Sequence, residues 1–284
     1  MAIIIEGRKI AASMRMEIKE EVTRLKEQGV VPKLAVVLVG DDPASLVYAR
    51  SKEGSCKKLG IDYELYVRPG TVSGDEVIAL IDRLNKEDST HGIMIELPLP
   101  KGIDKQKVLE SVLPVKDVDG VHPINRGFIL SGVDGLFPAT PLSCIEIMLQ
   151  NGIEITGKHA VLVGRGETVG KPLIFMMLNQ NATVTVCHTR TKDLSYHTRQ
   201  ADILIAAVGK ARMITAGMIK PGAVVIDAGI NEAEGGGLCG DVDFENAVKV
   251  AGAITPVPGG VGSLTTVMIQ KNLLKAIKLQ GRRP

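Results

Sequence analysis

The chain has 284 residues, of which 45% are hydrophobic and 23% charged, and its formal net charge is +2. This balance is typical of a globular protein with a full core, and it excludes strong attraction to nucleic acid or membranes. No apolar run is long enough to span a bilayer, and the N-terminus lacks the basic region of a signal peptide. The four cysteines are widely spaced without a C-x-x-C pair, so we expect reduced thiols, no metal site and a cytoplasmic location.

Strand-like and helical runs alternate along the whole chain, which predicts parallel βαβ units. The predicted strands of the first part are residues 33–39, 63–67 and 92–97, and the predicted helices are residues 10–26, 44–59, 73–85 and 105–111. Residues 115–141 are rich in Gly, Pro and Asp, so we expect a domain boundary and cleft-lining loops there. The second part has predicted helices at 142–150 and 264–279, and predicted strands at 160–163, 183–188, 203–208, 223–227 and 250–254. The last helix has one apolar face, so we expect it to return to the first domain.

A glycine-rich turn follows the strand at 160–163 and reads Gly164-Arg-Gly-Glu-Thr-Val-Gly170. Glycine lets backbone N–H groups approach phosphate oxygens, and the positive end of the following helix favours their charge. The turn therefore predicts a dinucleotide site. Its spacing is G-x-G-x-x-x-G instead of G-x-G-x-x-G, which leaves an ordinary strand-to-helix turn as the alternative.

The end of the next strand bears on the choice of cofactor. An enzyme selective for NAD usually carries an acidic residue there for the ribose hydroxyls, but this chain has no carboxylate until Asp193. Arg165 and Arg190 can face a 2′-phosphate, and Thr189 can donate a hydrogen bond to it. We therefore predict NADP rather than NAD. The alternative is that Arg190 is a solvated loop charge.

Polar side chains recur near the predicted carboxyl ends of strands in the first part, where ligands of open α/β sheets bind. Tyr48 and Lys52 stand four residues apart on a helix and share a face, and Glu96 interrupts the end of an apolar strand. Asp117 and Asp119 lie in an acidic loop. The alternatives are a surface Tyr–Lys pair and simple turn chemistry for the two aspartates.

Two glycine-rich segments complete the second part. Residues 255–262 form a Pro- and Gly-rich loop whose backbone can come close to a ligand, as a phosphate or carboxylate clamp, although a plain connector would look similar. Residues 235–237 are three consecutive glycines, for which we expect a surface hairpin or loop between Asn231 and Asp241.

Six segments, in this order, closely resemble the methylenetetrahydrofolate dehydrogenase/cyclohydrolase family, namely residues 43–52, 92–100, 116–120, 164–172, 227–231 and 256–262. The resemblance covers essentially the whole chain. It implies a homodimer of two-domain α/β subunits, each with a parallel-sheet folate-binding catalytic domain of residues 1–139 plus 264–284 and a Rossmann-type NADP-binding domain of residues 140–263.

The resemblance also implies an activity in one-carbon metabolism. Members oxidise 5,10-methylenetetrahydrofolate with NADP, and most then hydrolyse the methenyl product to 10-formyltetrahydrofolate. Lys52 is implied as the catalytic lysine, with Tyr48 orienting the folate and Asp119 hydrogen-bonding the pterin. The implied substrate site comprises Tyr48, Lys52, Ile95, Glu96, Leu97, Asp119, Pro258, Gly259, Gly260, Val261 and Gly262. The implied cofactor contacts are Gly164, Arg165, Gly166, Thr189 and Ile230, to which the charge argument adds Arg190.

The chain departs from the family at Glu96, where members normally carry Gln, and at Gly166, where they usually carry Ser. A carboxylate beside Lys52 is expected to raise the pKa of the lysine and weaken it as a base. This leaves a dehydrogenase with weak or absent cyclohydrolase activity as the alternative, unless Glu96 is protonated and mimics Gln or is itself the base. A folate- or NADP-binding protein without turnover and a small-acid dehydrogenase are more distant alternatives.

Overall fold

The computed structural model describes residues 2–233 and 235–281. In chain order the strands are β1 (Ile3–Ile4), β2 (Lys33–Val39), β3 (Asp62–Arg68), β4 (Gly92–Ile95), β5 (His159–Val163), β6 (Thr183–Cys187), β7 (Ile203–Ala206), β8 (Val224–Asp227), β9 (Asn231–Glu232), β10 (Leu238–Cys239) and β11 (Ala253–Ile254). The helices are α1 (Gly7–Glu27), α2 (Pro43–Leu59), α3 (Gly74–Lys86), α4 (Lys105–Ser111), α5 (Pro123–Ser131), α6 (Ala139–Gln150), α7 (Gly170–Asn179), α8 (Leu194–Thr198), α9 (Phe244–Ala247) and α10 (Thr265–Gly281).

The chain forms two compact α/β units with parallel main sheets, which confirms the predicted fold class. The three-stranded unit comprises Ser13–Phe137 with Thr266–Pro284, and the six-stranded unit comprises Met1–Ala12 with Pro138–Thr265. The N-terminal residues are not with the first domain as predicted, because β1 pairs with β11 in the six-stranded sheet. Residues 1 and 282–284 of the predicted first domain lie outside the described residues.

The three-stranded unit has the parallel order β3-β2-β4, with β2 in the middle. Helix α2 follows β2, and its start is fixed by Asp42, whose carboxylate accepts a hydrogen bond from the Ser45 N–H at 2.8 Å. It ends at Gly60, which has the left-handed φ of 76° that favours glycine. Helix α10 belongs to this unit, and its Asn272 side chain donates to the carbonyl of Val118 at 2.8 Å, as expected for a returning helix.

Helix α5 is a correction to the sequence prediction, which assigned residues 115–141 to loops. Pro123 stands in the first turn of α5, where proline is favoured because its missing N–H costs nothing. The His122 side chain caps this helix by accepting from the Ile124 N–H at 3.0 Å. The predicted boundary is otherwise close, since the first unit's main segment ends at Phe137.

The six-stranded sheet has the parallel order β1-β11-β8-β7-β5-β6. The chain runs in opposite directions across the sheet from β5, to β6 on one side and to β7 on the other, which is the switch point of a doubly wound fold. Ligands bind outside the carboxyl ends of strands at such a point. Strands β9 and β10 form the expected antiparallel hairpin around the glycines at 235–237.

Candidate active site

Tyr48 and Lys52 lie on one face of α2, as their spacing predicts, and Glu96 follows β4. The Lys52 Nζ donates a hydrogen bond to Glu96 Oε1 at 2.5 Å and lies 3.7 Å from the centroid of the Tyr48 ring. Lys52 is only 1% exposed, whereas Tyr48 is 47% exposed. The pair is therefore not a surface pair, because the ammonium is buried beneath an aromatic ring that is open to a ligand.

Burial controls the protonation of this lysine. Loss of hydration lowers the pKa of Lys52, and the opposing attraction of the Glu96 carboxylate raises it by less. The expected net rise in the pKa of Lys52 is therefore wrong, although the contribution of Glu96 has the predicted sign. Lys52 gives up its proton more readily than a surface lysine, and Glu96 restrains that loss.

The segment 116–120 runs beside β4 through a parallel bridge between Ile93 and Asp117. Lys116 donates from Nζ to the carbonyls of Asn85 at 2.8 Å and Glu87 at 2.9 Å, at the C-terminal end of α3. The Asp117 carboxylate accepts from the His122 N–H at 2.8 Å and from Asn125 Nδ2 at 2.9 Å. Both residues hold the local fold, which agrees with the turn interpretation for Asp117.

Asp119 belongs electrostatically to the Lys52–Glu96 pair. It is half-buried, and loss of hydration together with the Asp117 carboxylate raises the pKa of Asp119 to about 7, while Lys52 acts in the opposite direction. Its side chain therefore changes charge near neutral pH. The three-stranded unit thus brings together the four polar residues of the implied substrate site, namely Tyr48, Lys52, Glu96 and Asp119.

Arg126 is a residue of this site that the sequence analysis missed. Its positive charge lowers the pKa of Asp119. Its buried Nε has no hydrogen-bond partner among the described residues. It lies on α5, which Asp117 ties to the 116–120 segment through His122 and Asn125. The sequence contained one indication of Arg126, namely its position seven residues after Asp119. That spacing can be interpreted only once α5 is known to be a helix.

The strand-end residues divide by burial. The Glu96 N–H donates to the Val37 carbonyl at 2.9 Å, so the backbone pairing of β4 continues to the site. Ile95 packs in the apolar core, so its side chain does not face a ligand. Leu97 is half-buried and precedes Pro98 through a cis peptide bond.

A cleft of about 360 Å³ lies outside the carboxyl ends of β5, β6 and β7 in the six-stranded unit, where the fold predicts a ligand. It is lined by Val163, Gly164, Arg165, Gly166, His188, Thr189, Leu194, Ala207, Val208, Lys210 and Met213. Gly164 has φ 121°, and a Cβ there would lie 2.0 Å from the Ala207 carbonyl oxygen. A Cβ on Gly166 would meet nothing within 4 Å. The two glycines therefore differ: packing requires the first, and the second leaves open space for a ligand.

The charges of this cleft favour an anion. Arg165 and Lys210 line it, and the nearest acidic residue along the chain from β6, Asp193, accepts from the Tyr196 N–H at 3.1 Å as the cap of α8. Two predicted contacts, Arg190 and Ile230, are exposed and lie outside the lining. The structure thus brings four of the six predicted cofactor residues to one cleft.

The loop 258–262 belongs to the six-stranded unit and is held by its own backbone. The Gly7 N–H donates to the Gly259 carbonyl at 2.9 Å, and a Cβ on Gly260 would lie 2.5 Å from the Pro256 carbonyl oxygen. Val261 is buried, so its side chain belongs to the core, while Pro258 and Gly262 are exposed.

In the part of the chain that the structure describes, no helix has the length and apolar character needed to cross a membrane. Within the same residues, no group of three or more His, Cys, Asp or Glu side chains is placed to hold a metal ion. All four cysteines are free and buried.

Comparisons with known proteins agree with this arrangement. The family model "Tetrahydrofolate dehydrogenase/cyclohydrolase, catalytic domain" matches residues 5–119, and the model of the family's NAD(P)-binding domain matches residues 138–281. The chain is 70% identical over 281 residues to the Bifunctional protein FolD of Pelotomaculum thermopropionicum, covering 99% of each.

Two solved structures share the whole fold. The FolD methylenetetrahydrofolate dehydrogenase/cyclohydrolase of Campylobacter jejuni is 44% identical with a TM-score of 0.97, covering 99% of this chain and 100% of that one. The Trypanosoma brucei enzyme, complexed with NADP cofactor and inhibitor, is 35% identical with a TM-score of 0.94, covering 99% of each chain. With a buried lysine–carboxylate pair in one unit and a glycine-lined cleft in the other, this chain belongs to the tetrahydrofolate dehydrogenase/cyclohydrolase family.

Proposed function

We propose that the protein oxidises 5,10-methylenetetrahydrofolate with NADP and hydrolyses the methenyl product to 10-formyltetrahydrofolate. The observation that carries the proposal is the buried Lys52–Glu96 pair beneath the exposed ring of Tyr48. Relatives that share this fold are named bifunctional or dehydrogenase/cyclohydrolase enzymes.

The side chains divide the work of binding and proton transfer. The Tyr48 ring offers an aromatic face to the flat pterin, and ionised Asp119 accepts hydrogen bonds from its N–H groups. Neutral Lys52 takes a proton from the water that attacks the methenyl carbon, and Glu96 orients the lysine. Leu97 and the 258–262 loop complete the proposed substrate site, with Ile95 contributing through its main chain.

The cofactor fits the cleft of the six-stranded unit, because Gly166 leaves open space there and Arg165 and Lys210 supply positive charge. NADP bound there would supply the hydride acceptor for oxidation of the folate. Arg165 would pair with its 2′-phosphate, and the engagement of Asp193 in the α8 cap removes the nearest candidate for a ribose ligand selective for NAD. Thr189, Arg190 and Ile230 form the outer edge of the proposed site.

The proposed setting is a homodimer in the cytoplasm that needs no metal ion. The buried free cysteines fit a reducing compartment.

A two-signal assay tests the proposal. NADPH and methenyl-folate are followed separately after methylene-folate and NADP are mixed with the protein. We expect NADPH to form and methenyl-folate to pass through a maximum as it is hydrolysed. A protein that only bound folate or NADP would give neither signal. A dehydrogenase without hydrolysis would form methenyl-folate, which would then decay at its uncatalysed rate.

A further inference from the structure

Asp241 is a fully buried carboxylate just after β10. Its Oδ2 accepts from the N–H groups of Val208 at 2.6 Å and Gly209 at 3.0 Å. Its Oδ1 accepts from the Lys210 N–H at 2.9 Å and from Asn231 Nδ2 at 2.9 Å. Four donors fill the acceptor sites of the carboxylate, and three of them are consecutive backbone N–H groups of one loop.

That loop forms one wall of the cofactor cleft. Val208 and Lys210 line the cleft, and the preceding Ala207 carbonyl is the group against which Gly164 packs without a Cβ. A shift of the loop therefore changes both the wall and the glycine turn opposite it. Asn231 connects the same carboxylate to the turn after β8, which carries Ile230.

A second buried carboxylate fixes Asp241 itself. Asp227 accepts from the Asp241 N–H at 3.0 Å and from the Val242 N–H at 2.9 Å. Glycines make room for both groups, because a Cβ on Gly229 would lie 2.2 Å from the Asp241 Cγ, and one on Gly240 would lie 1.9 Å from Asp227 Oδ2. The arrangement holds Asp241 in one position.

We propose that Asp241 is a positioning residue for the nicotinamide cofactor: its carboxylate sets the 208–210 loop and, through Asn231, the turn after β8. This inference rests on the proposed function, which places NADP in that cleft. Lys52 and Glu96, the side chains proposed for proton transfer in hydrolysis, lie in the other unit. Asp241 therefore supports cofactor binding without taking part in hydrolysis.

The test compares Asp241→Asn with wild type in the full-length protein. Asparagine keeps the shape of the side chain but places an NH2 group where one oxygen stood. Each oxygen accepts two hydrogen bonds, so two of the four are lost in either orientation of the amide. We expect the dissociation constant for NADP, measured by calorimetry, to rise about tenfold or more. Hydrolysis of methenyl-folate without nucleotide should stay within about twofold of wild type, because Lys52 and Glu96 lie in the other unit.

Asp243→Asn is the matched control, since it removes a carboxylate two residues away that accepts from Asn246 at 2.8 Å and lies outside the cofactor cleft. Its affinity for NADP should equal that of wild type. If Asp241→Asn does not fold, Asn231→Ala replaces it, with a smaller rise expected because a single bond to Asp241 is lost.

Unchanged NADP affinity in a folded variant would overturn the inference, and so would equal losses of NADP affinity and hydrolysis. Failure of wild type to bind NADP would instead reject the proposed function, so the two failures are distinguishable.

Discussion

At the scale of single residues, the site depends on a buried ion pair. Taking Lys52 and Glu96 out of water costs more than an exposed pair, and their mutual attraction offsets that cost only while both partners are present. The burial that lowers the pKa of Lys52 also makes it a better candidate for a base than an exposed lysine. The negative charge of Glu96 raises the pKa of Lys52. The protonation state of Lys52 therefore depends on the balance between burial and this charge.

Lys52→Met tests the lysine directly. The substitution keeps the apolar stem and removes the ammonium, so we expect methenyl-folate hydrolysis to fall by about a hundredfold or more. NADP binding should stay at the wild-type value. Lys57→Met on the same helix is the control, because its exposed ammonium pairs only with Glu53 at 2.7 Å among the ion pairs of the described residues. A hydrolysis rate equal to that of wild type would mean that Lys52 has only a structural role.

Asp119 predicts how substrate binding depends on pH. Its pKa of about 7 lies above the ordinary value, so the carboxyl is protonated below neutrality and accepts fewer hydrogen bonds there. The KM for methylene-folate should therefore fall as pH rises through 7. Asp119→Asn should remove this dependence of KM on pH and raise KM at high pH. A wild-type KM that does not change between about pH 6 and 8, one unit on each side of the pKa, would contradict the role of Asp119 in substrate binding.

Arg165 and Arg190 are expected to set the preference for NADP over NAD. A charge-assisted contact with the 2′-phosphate is worth about 1.5–3 kcal/mol, so NADP should be preferred over NAD by roughly ten- to a hundredfold. Arg165→Met should narrow that preference, because Arg165 lines the cleft, and Arg190→Met should narrow it less. The ratio of kcat/KM for the two cofactors is the measurement, and a wild-type preference for NAD would reject the argument.

At the scale of elements, the strand-to-helix turn after β5 gives a matched pair of substitutions. Gly164→Ala places a Cβ 2.0 Å from backbone and should abolish measurable NADP binding or lower stability by several kcal/mol. Gly166→Ala enters open space and should leave stability within about 0.5 kcal/mol of wild type. Urea unfolding and NADP titration measure both effects; equal behaviour of the two variants would show that the turn is not as tight as its geometry indicates.

The elements also show where sequence reasoning succeeds. Helix α4 and strand β2 both have the predicted bounds. The ends of β2 could be predicted because turn residues stand on both sides of its apolar run. Helix α5 was missed because Pro and Gly residues also occur at helix ends, and Arg126 was missed with it. Strand β1 has two residues and depends on a partner 250 positions away in the chain, about which local pattern contains no information.

At the scale of the whole molecule, the order of strands and helices predicted two α/β units, and the resemblance predicted that Tyr48, Lys52, Glu96 and Asp119 belong together. The sequence could not show that burial outweighs the carboxylate at Lys52, because desolvation depends on every group packed around the site. It also could not single out Asp241, whose partners lie ten to thirty-three positions away in the chain. Both facts arise from tertiary structure.

The restraint of Lys52 by Glu96 is tested by the rate of methenyl-folate hydrolysis across pH in wild type and Glu96→Gln. Without the carboxylate, burial lowers the pKa of Lys52 further. The rate of hydrolysis near neutral pH should therefore rise, and the acid limb of its pH profile should move to lower pH. On that limb the rate should rise about tenfold for each unit by which the pKa falls. Methylene-folate oxidation should change less, so the ratio of oxidation to hydrolysis should fall. Efficient hydrolysis by wild type near neutral pH, with no gain in Glu96→Gln, would contradict the account.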